Sequence, residues 1–427
     1  MTYQSPISPG HSWYEASVGE RPTYPQYEGD RSCDVAIIGG GFTGLSAAVH
    51  LAKAGIDAVV LEAHRLGDGA SGRNGGQLNT GHRSSAKEHE EQLGFERAKA
   101  LFDLAEEAKH HLLDFASSND IDIEYCVGHM SVVHRKRYLH EYRDYPAMMA
   151  QRFGYAPLHF MDKDETSERL GSTFYHGGVY DGGTGHIHPL KLVDGTARVA
   201  AASGAQLFEN STVTSMLHEG GKTRLQTEKG TITADRVLLA VNAYGDEKLE
   251  PVMASHVMPI RSFIGATAPL DNDVLPGKES VDDTRFMVRY FRRTQDGRLL
   301  FGGREAYTAE TPDNINALIR NQIVEIYPAL KGIDITHGWG GSVGITMPRE
   351  PFVREVLPGV TAIGGYSGHG VMLSNFTGKL YAEAVSGNRD RLQYFRDLNV
   401  PAFPGGRRFR KPLLTMALTW FAMLDKI

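Results

Sequence analysis

The stretch from Asp34 to Glu62 constrains the fold more than any other part of this chain. It opens with a short run of apolar residues, continues through Gly39, Gly41 and Gly44 in the spacing G-x-G-x-x-G, and then shows an apolar helical period. In this spacing the first glycine permits a tight turn, the second lets backbone approach a pyrophosphate, and the third lets the helix pack closely on the strand. The stretch therefore predicts a βαβ unit whose helix N-terminus faces a dinucleotide diphosphate.

The second strand of this unit ends in an acid. A strand over 58–61 leads directly into Glu62, which follows Gly44 at roughly the 20-residue distance typical of a ribose-binding carboxylate. An acid there would repel a 2′-phosphate, so NADP is disfavoured. A mere tight turn before a helix is the weaker interpretation, because strand, glycines, helix and acid are all in register. The fingerprint alone leaves FAD and NAD both open.

The composition of this 427-residue chain excludes several classes of function. Charged residues make up 22% of the sequence and the formal net charge is −6, so a nucleic-acid partner is not expected. Its two cysteines, Cys33 and Cys126, have no metal-ligand spacing, which predicts no metal and favours a reducing compartment. The N-terminus does not resemble a secretory signal, and no run approaches the ~20 apolar residues of a membrane span. We expect a soluble cytoplasmic protein.

Two further glycine-rich stretches follow the pattern of the first. The loop over 63–83 is dense in glycine although it joins a buried strand to a long helix, so we expect it to run along an extended cofactor. Near the C-terminus, residues 360–370 repeat the order of strand, glycine turn and helix, and again offer free backbone N–H groups at a helix start. This turn lacks the G-x-G-x-x-G spacing, which favours the other end of the same cofactor over a second dinucleotide site.

The remaining segments predict a second, β-rich layer that could cover a cofactor. Residues 257–267 and 286–303 alternate as antiparallel strands and precede an amphipathic helix over 311–327. A strand over 237–241 has the apolar character of one buried on both faces, and we expect it to return to the first sheet.

Taken together, these residues resemble the FAD-dependent amine and amino-acid oxidoreductases of the D-amino-acid oxidase superfamily. The most specific matches are G-A-S-G-R-N-G-G-Q at 69–77 and G-Y-S-G-H-G at 365–370, and the resemblance extends over essentially the whole chain. It implies an α/β fold, α+β overall, with a Rossmann-like FAD-binding domain and an interleaved antiparallel-sheet substrate domain. The implied boundaries are an N-terminal arm over 1–31, an FAD-binding domain over 32–86, 177–256 and 335–400, a substrate domain over 87–176 and 257–334, and a basic, amphipathic tail over 401–427.

The resemblance also implies which residues contact FAD. The ADP half would lie against the first glycine turn and Glu62, the flavin against the second glycine-rich loop, and the pyrimidine edge against the third. The implied FAD contacts are Gly39, Gly41, Phe42, Thr43, Gly44, Glu62, Ala63, Arg65, Ala70, Ser71, Gly75, Gly76, Gln77, Leu78, Val213, Ala240, Gly365, Tyr366, Ser367, Gly368, His369 and Gly370.

Two departures from the family pattern bear on the chemistry. Sarcosine oxidases carry a flavin-tethering cysteine in the segment that matches Gly341 and Ser342 here, so we expect non-covalent FAD. Those enzymes also carry a substrate-binding lysine where this chain has Met372. The resemblance therefore implies an amine with a distant carboxylate, such as a γ-glutamylputrescine-like or other polyamine-derived substrate.

The predicted reaction is oxidation of a C–N bond by hydride transfer to flavin N5, followed by hydrolysis of the imine. Oxygen or a quinone would reoxidise the flavin. Alternatives are oxidation of a small amino acid (sarcosine, glycine or a D-amino acid) or a 2-hydroxy acid, an NAD-dependent dehydrogenase, and a flavin-bearing subunit that needs a partner. The residues expected around the substrate are Asn79, His82, His188, Tyr290, Trp339 and His369.

The C-terminal tail joins a basic segment, 407–411, to an apolar helical stretch over 412–424. Such a terminus can lie on a membrane or a partner, but packing against its own domain is commoner.

Overall fold

Two β-sheets organise the computed structural model, which describes residues 11–271, 273–306 and 314–405. The strands are β1 (Gly29–Ile38), β2 (Ala58–Leu61), β3 (Gln77–Leu78), β4 (Cys126–Val132), β5 (Leu158–Met161), β6 (Gly178–His186), β7 (Gln206–Phe208), β8 (Ser215–Glu219), β9 (Lys222–Gln226), β10 (Gly230–Leu239), β11 (Met258–Thr267), β12 (Ser280–Asp283), β13 (Tyr290–Arg293), β14 (Leu299–Ala306), β15 (Ile335–Ile345), β16 (Phe352–Leu357) and β17 (Val360–Gly364). The helices are α1 (Trp13–Ser17), α2 (Phe42–Lys53), α3 (Ala86–Leu93), α4 (Phe95–Ser118), α5 (Leu139–Met148), α6 (Lys163–Leu170), α7 (Pro189–Ala202), α8 (Pro251–His256), α9 (Ile315–Ile326), α10 (Gly370–Val385) and α11 (Asp390–Arg396).

The first sheet contains the βαβ unit. Its strand order is β16-β17-β10-β1-β2-β7, and β9 and β8 extend from β10. Strands β7, β2, β1, β10 and β17 run parallel, and Val35 and Ile37 in β1 are fully buried. Helix α2 packs against both α7 and α10. The carboxyl ends of these five parallel strands consequently lie along one edge, where open α/β sheets bind their ligands.

The second sheet provides the wall opposite that edge. Its order is β15-β11-β14-β13-β12-β4-β6-β3, with β5 paired to β6. All of its pairs are antiparallel except β12 with β4, which run parallel. The predicted α/β class with a Rossmann-like first layer and an antiparallel second layer is confirmed by this topology. The predicted return of a strand near 237–241 to the first sheet is confirmed too, since β10 pairs with β1.

The sheets do not follow the predicted domain boundaries, which stay a prediction, and β3 from the predicted segment 32–86 pairs with β6 in the second sheet. The predicted FAD-binding segments 177–256 and 335–400 include β6 and β15, yet both strands are hydrogen-bonded within the second sheet. The sequence of β6, GVYDGGTGH, has too few apolar residues to indicate which sheet it joins. The end of β15 lies beside the cavity. The strand is rich in glycine, and in the sequence it therefore resembles a cofactor-binding turn. The predicted helix over 311–327 is described from Ile315 onward, and the basic segment and helix of the tail lie outside the described residues.

A buried ion pair fastens α3 to the turn between β15 and β16. His89 Nε2 lies 2.7 Å from Glu350 Oε1, and both side chains are buried. Burial would raise the pKa of Glu350, but the hydrogen bond from His89 and the charge of that ring hold it below its ordinary value. A carboxyl whose pKa is lower in the folded state stabilises the fold above its unfolded pKa, and this contribution is lost as pH falls through the folded pKa.

We therefore expect the free energy of unfolding of Glu350→Gln to depend less on pH under acidic conditions than that of the parent. The free energy of unfolding of the parent should fall between about pH 5 and about pH 3 by more than that of the variant, as measured by urea denaturation. Parallel profiles for the two proteins would contradict this assignment.

Candidate active site

A cavity of about 590 Å³ runs along the carboxyl edge of the first sheet and under the second. All three glycine-rich stretches reach it. Gly39 and Gly41 line it from the first turn, Ser71 and Gly75 from the second loop, and Gly368 from the third. Segments that are far apart in the sequence therefore form one continuous groove.

The N-cap residue of α2 provides no capping side chain at the first turn. That residue is Gly41, which makes no side-chain capping bond. Ser71 Oγ approaches from the second loop and accepts a hydrogen bond from Phe42 N at 2.9 Å. A Cβ atom on Gly41 would lie 2.7 Å from that hydroxyl. A side chain at position 41 would push the Ser71 hydroxyl away from Phe42 N, and the remaining N–H groups of the helix start can receive an anion.

Glu62 is already held by backbone at the end of β2. Its Oε2 accepts a hydrogen bond from Gly40 N at 2.8 Å, and its Oε1 accepts one from His64 N at 3.0 Å. Each carboxylate oxygen has two acceptor sites, so capacity remains for ribose hydroxyls. Burial raises the pKa of Glu62, while these backbone N–H groups act against that increase.

For Glu62→Gln we expect FAD binding to weaken about tenfold, since the amide loses one acceptor and the charge that strengthens such bonds. Titration of the apoprotein with FAD, followed by quenching of flavin fluorescence, measures this. An unchanged dissociation constant would remove Glu62 from the ribose site.

The second loop is fastened to the second sheet beside the cavity. Arg292 Nε donates to Gly75 O at 2.7 Å, and a Cβ atom on Gly75 would lie 2.9 Å from the ring of Tyr290. Asn74 Oδ1 accepts from Gly76 N at 2.8 Å. The loop is thus an ordered, close-packed wall, which suits the flat face of a large ring.

The third turn presents another helix start. Gly365 N donates to Asn242 Oδ1 at 2.9 Å, which fixes the turn after β17. Tyr366 lies between the turns, with its hydroxyl 2.9 Å from Thr43 Oγ1. Helix α10 then begins at Gly370 with His369 as N-cap and no side-chain capping bond. Its free N–H groups can stabilise negative charge in the cavity.

These features fit the dinucleotide that the resemblance implies. Two uncapped helix starts, a backbone-held carboxylate and a close-packed glycine loop line the same groove. The expected FAD contacts that line the cavity are Gly39, Gly41, Phe42, Thr43, Glu62, Ala63, Ala70, Ser71, Gly75, Gly76, Gln77, Val213, Ala240, Tyr366, Ser367, Gly368, His369 and Gly370.

The other four expected FAD contacts do not line the cavity, and their contact with FAD stays a prediction. Gly44 packs under the first turn, where a Cβ atom would lie 2.0 Å from Gly39 O. Leu78 is fully buried in β3, and Gly365 is buried at the end of β17. Arg65 donates through a long 3.5 Å hydrogen bond to Pro22 O in the N-terminal arm.

Three of the six residues predicted around the substrate line the cavity, namely Asn79, Tyr290 and His369. Burial and the nearby Arg83 lower the pKa of His369 to about 3, although Asp282 acts in the opposite direction. The His369 ring is therefore neutral at physiological pH. It can accept a hydrogen bond and does not repel a cationic amine.

His82, His188 and Trp339 are placed elsewhere and are buried. His82 Nε2 hydrogen-bonds to Leu101 O at 3.0 Å. His188 is the N-cap of α7 and lies 3.0 Å from Ser17 Oγ. Trp339 Nε1 donates to Arg73 O at 3.0 Å.

Sequence reasoning missed several polar residues of the cavity wall. Arg83, Asp282 and Arg349 line it, as do Asn242 and Tyr244. Arg83 is the last residue of the glycine-rich loop over 63–83, and that position was a signal in the sequence. Nothing local marks Asp282, whose strand reaches the cavity only through pairing within the second sheet.

Residues 11–271, 273–306 and 314–405 contain neither a candidate metal site nor a candidate membrane-spanning helix. These residues contain no group of three or more His, Cys, Asp or Glu side chains arranged to hold a metal ion. No helix among them is both long and apolar enough to cross a membrane.

Comparison with known proteins agrees with this geometry. A family model described as FAD dependent oxidoreductase, DAO, matches residues 34–384. The chain is 59% identical to a probable oxidoreductase OrdL of Rhizobium meliloti (strain 1021), over 100% of both chains. It is 34% identical to the γ-glutamylputrescine oxidoreductase of Escherichia coli (strain K12), over 97% of this chain and 98% of that protein. The crystal structure of glycine oxidase from Geobacillus kaustophilus is similar with a TM-score of 0.71 at 23% identity, covering 83% of this chain and 95% of that one.

Proposed function

We propose that this chain, which belongs to the DAO family of FAD-dependent oxidoreductases, oxidises the C–N bond of an amine that carries a carboxylate far from the reacting carbon. The family assignment identifies the dinucleotide as FAD and removes the NAD-dependent alternative. The observation that carries the proposal is the continuous cavity, which leads from the dinucleotide fingerprint to a pocket lined by Asn79, Arg83, Asp282, Tyr290 and Arg349.

The charges at the substrate end support a distant carboxylate. Met372 is uncharged, is buried in α10 and does not line the cavity. The chain therefore has no cation at this position beside the reacting carbon. Arg83 and Arg349 line the cavity instead, and guanidinium groups bind carboxylates in a bidentate manner. The E. coli relative named for γ-glutamylputrescine supports the same class of substrate, a chain with an amine at one end and a carboxylate at the other.

FAD held by these residues would supply the electronic chemistry, as the acceptor of a hydride equivalent from the carbon next to the nitrogen of a neutral amine, and hydrolysis of the resulting imine would follow. The protein contributes orientation and electrostatics. Neutral His369 and Asn79 offer hydrogen-bond acceptors to the amine, and the start of α10 stabilises negative charge at its end of the cavity. No cysteine of the described chain lines the cavity, which supports non-covalent FAD.

Anaerobic mixing of the holoenzyme with candidate substrates tests the proposal. We expect γ-glutamylputrescine to bleach the flavin absorbance faster than putrescine, sarcosine, glycine, D-alanine or a 2-hydroxy acid. Faster bleaching by sarcosine or glycine would instead support the small amino-acid alternative, for which glycine oxidases at 24% identity are relatives. Readmission of oxygen, or addition of a quinone, then identifies the electron acceptor.

A further inference from the structure

Asp282 is an acidic residue in the wall of the cavity, far from the dinucleotide fingerprint in sequence. It lies in β12 of the second sheet and lines the cavity with Asn79, Phe286 and Tyr290. Its side chain retains 27% exposure, and that surface faces into the groove. Two other acids, Glu62 and Asp246, line the cavity among the described residues. Glu62 is committed to the first turn, and Asp246 is exposed on the loop after β10.

A buried histidine holds Asp282 from behind. His129 Nε2 lies 3.4 Å from Asp282 Oδ2, and His129 Nδ1 lies 2.8 Å from Ser280 Oγ. The parallel pairing of β12 with β4 brings these groups together. Although burial opposes both charges, the pair raises the pKa of His129 and lowers that of Asp282. The carboxylate is therefore ionised, and a carboxylate with about four acceptor sites is not saturated by the His129 imidazole and the Ser131 hydroxyl.

Asn79 supplies a second acceptor on the same wall. Its Oδ1 is buried and accepts no hydrogen bond from the described residues. Gln77, two residues earlier, donates Nε2 to Val281 O at 3.0 Å, and Val281 directly precedes Asp282. A buried oxygen without a donor destabilises the protein, and a ligand donor would offset that cost.

We propose that Asp282 and Asn79 form a subsite for the alkylammonium group of the substrate, with His129 as the residue that positions Asp282. An ammonium has three N–H donors and no acceptor, which matches two unsatisfied acceptors, one of them anionic. Arg83 and Arg349 line the same cavity with the opposite charge. An amine that also carries a carboxylate is thereby bound in one direction. This inference rests on the proposed function, because it assumes that an amine occupies the cavity.

The subsite is tested by binding rather than turnover. Dithionite-reduced holoenzyme is titrated anaerobically with n-hexylamine and with 1-hexanol, which share the alkyl chain and differ in charge, and binding is followed by calorimetry. We expect Asp282→Asn to weaken hexylammonium binding at least about tenfold while hexanol binding changes less than about twofold. Asp246→Asn, which removes the exposed acid of the same cavity, should change neither by more than about twofold. Equal weakening of both ligands by Asp282→Asn, or no weakening, would overturn the subsite.

Two further variants keep the test decisive if Asp282→Asn does not fold. Asn79→Asp adds an anion at the same place and should tighten hexylammonium at least about threefold relative to hexanol. An unchanged ratio would overturn the proposal. His129→Gln should lower the ammonium-to-alcohol ratio, whereas a purely structural role would weaken both ligands alike. If no amine bleaches the flavin but the ratio still depends on Asp282, the proposed reaction fails and the subsite stands.

Discussion

Gly44→Ala is expected to yield a protein that loses its FAD during gel filtration. A Cβ atom at this position would lie 2.0 Å from Gly39 O and 3.1 Å from Ile37 Cγ2. The first neighbour is backbone of the turn itself, so relief requires α2 to move away from β1. Such overpacking costs about 1–3 kcal/mol. The shift also displaces Gly41 and the helix start that faces the diphosphate, and we expect FAD affinity to fall by about two orders of magnitude.

The ratio of flavin to protein absorbance after gel filtration measures this loss. Gly332→Ala is the matched control, because a Cβ atom there would have no heavy atom within 4 Å. That variant should keep the flavin content and thermal stability of the parent. Full flavin content in Gly44→Ala would show that the close approach of helix and strand is not what shapes the dinucleotide turn.

The first turn could be predicted from sequence because its determinants are local. The glycine spacing, the apolar strand and the terminal acid all lie between residues 34 and 62, and the structure forms β1, α2 and β2 from them. Asp282 could not be predicted in this way. Its partner His129 lies about 150 residues away, and only the pairing of β12 with β4 brings the two together.

The positions of the predicted substrate histidines and of Trp339 could not be predicted from local sequence either. Residue type indicated chemistry at each position, but the direction of a side chain depends on its neighbours in space. His188 serves as a helix cap, with its Nδ1 accepting from Lys191 N at 3.3 Å, and burial lowers its pKa to about 3. Trp339 donates to Arg73 O within the wall, whereas Gly341 and Ser342, further along the same strand, line the cavity. His369 reached the cavity because a glycine turn placed it there.

A network of buried charges contacts Thr80, the residue that follows Asn79. Lys109 is fully buried in α4, and its Nζ lies 2.8 Å from Glu106 Oε2 and 3.0 Å from Thr80 Oγ1. Thr80 in turn donates to Asp181 Oδ2 at 2.6 Å. This network fixes the residue that follows Asn79, and therefore the wall of the proposed ammonium subsite.

Lys109→Met should lower the free energy of unfolding by about 3–5 kcal/mol, because breaking a buried ion pair leaves an uncompensated charge. Burial already raises the pKa of Glu106, and Lys109 opposes that increase. Without the lysine the carboxyl binds a proton more readily when folded, so the deficit should shrink as the pH is lowered. Urea denaturation at pH 7 and pH 5 measures both effects.

The same helix supplies the control for this prediction. Lys99 pairs with Asp103 across one turn of α4, but the two side chains are 33% and 55% exposed. Lys99→Met should therefore cost only about 0.3–0.5 kcal/mol. The double variant Glu106→Gln with Lys109→Met removes both charges and should recover part of the loss. Equal, small effects of Lys99→Met and Lys109→Met would mean that the buried network does not support the cavity wall, and that Asn79 is positioned by backbone pairing alone.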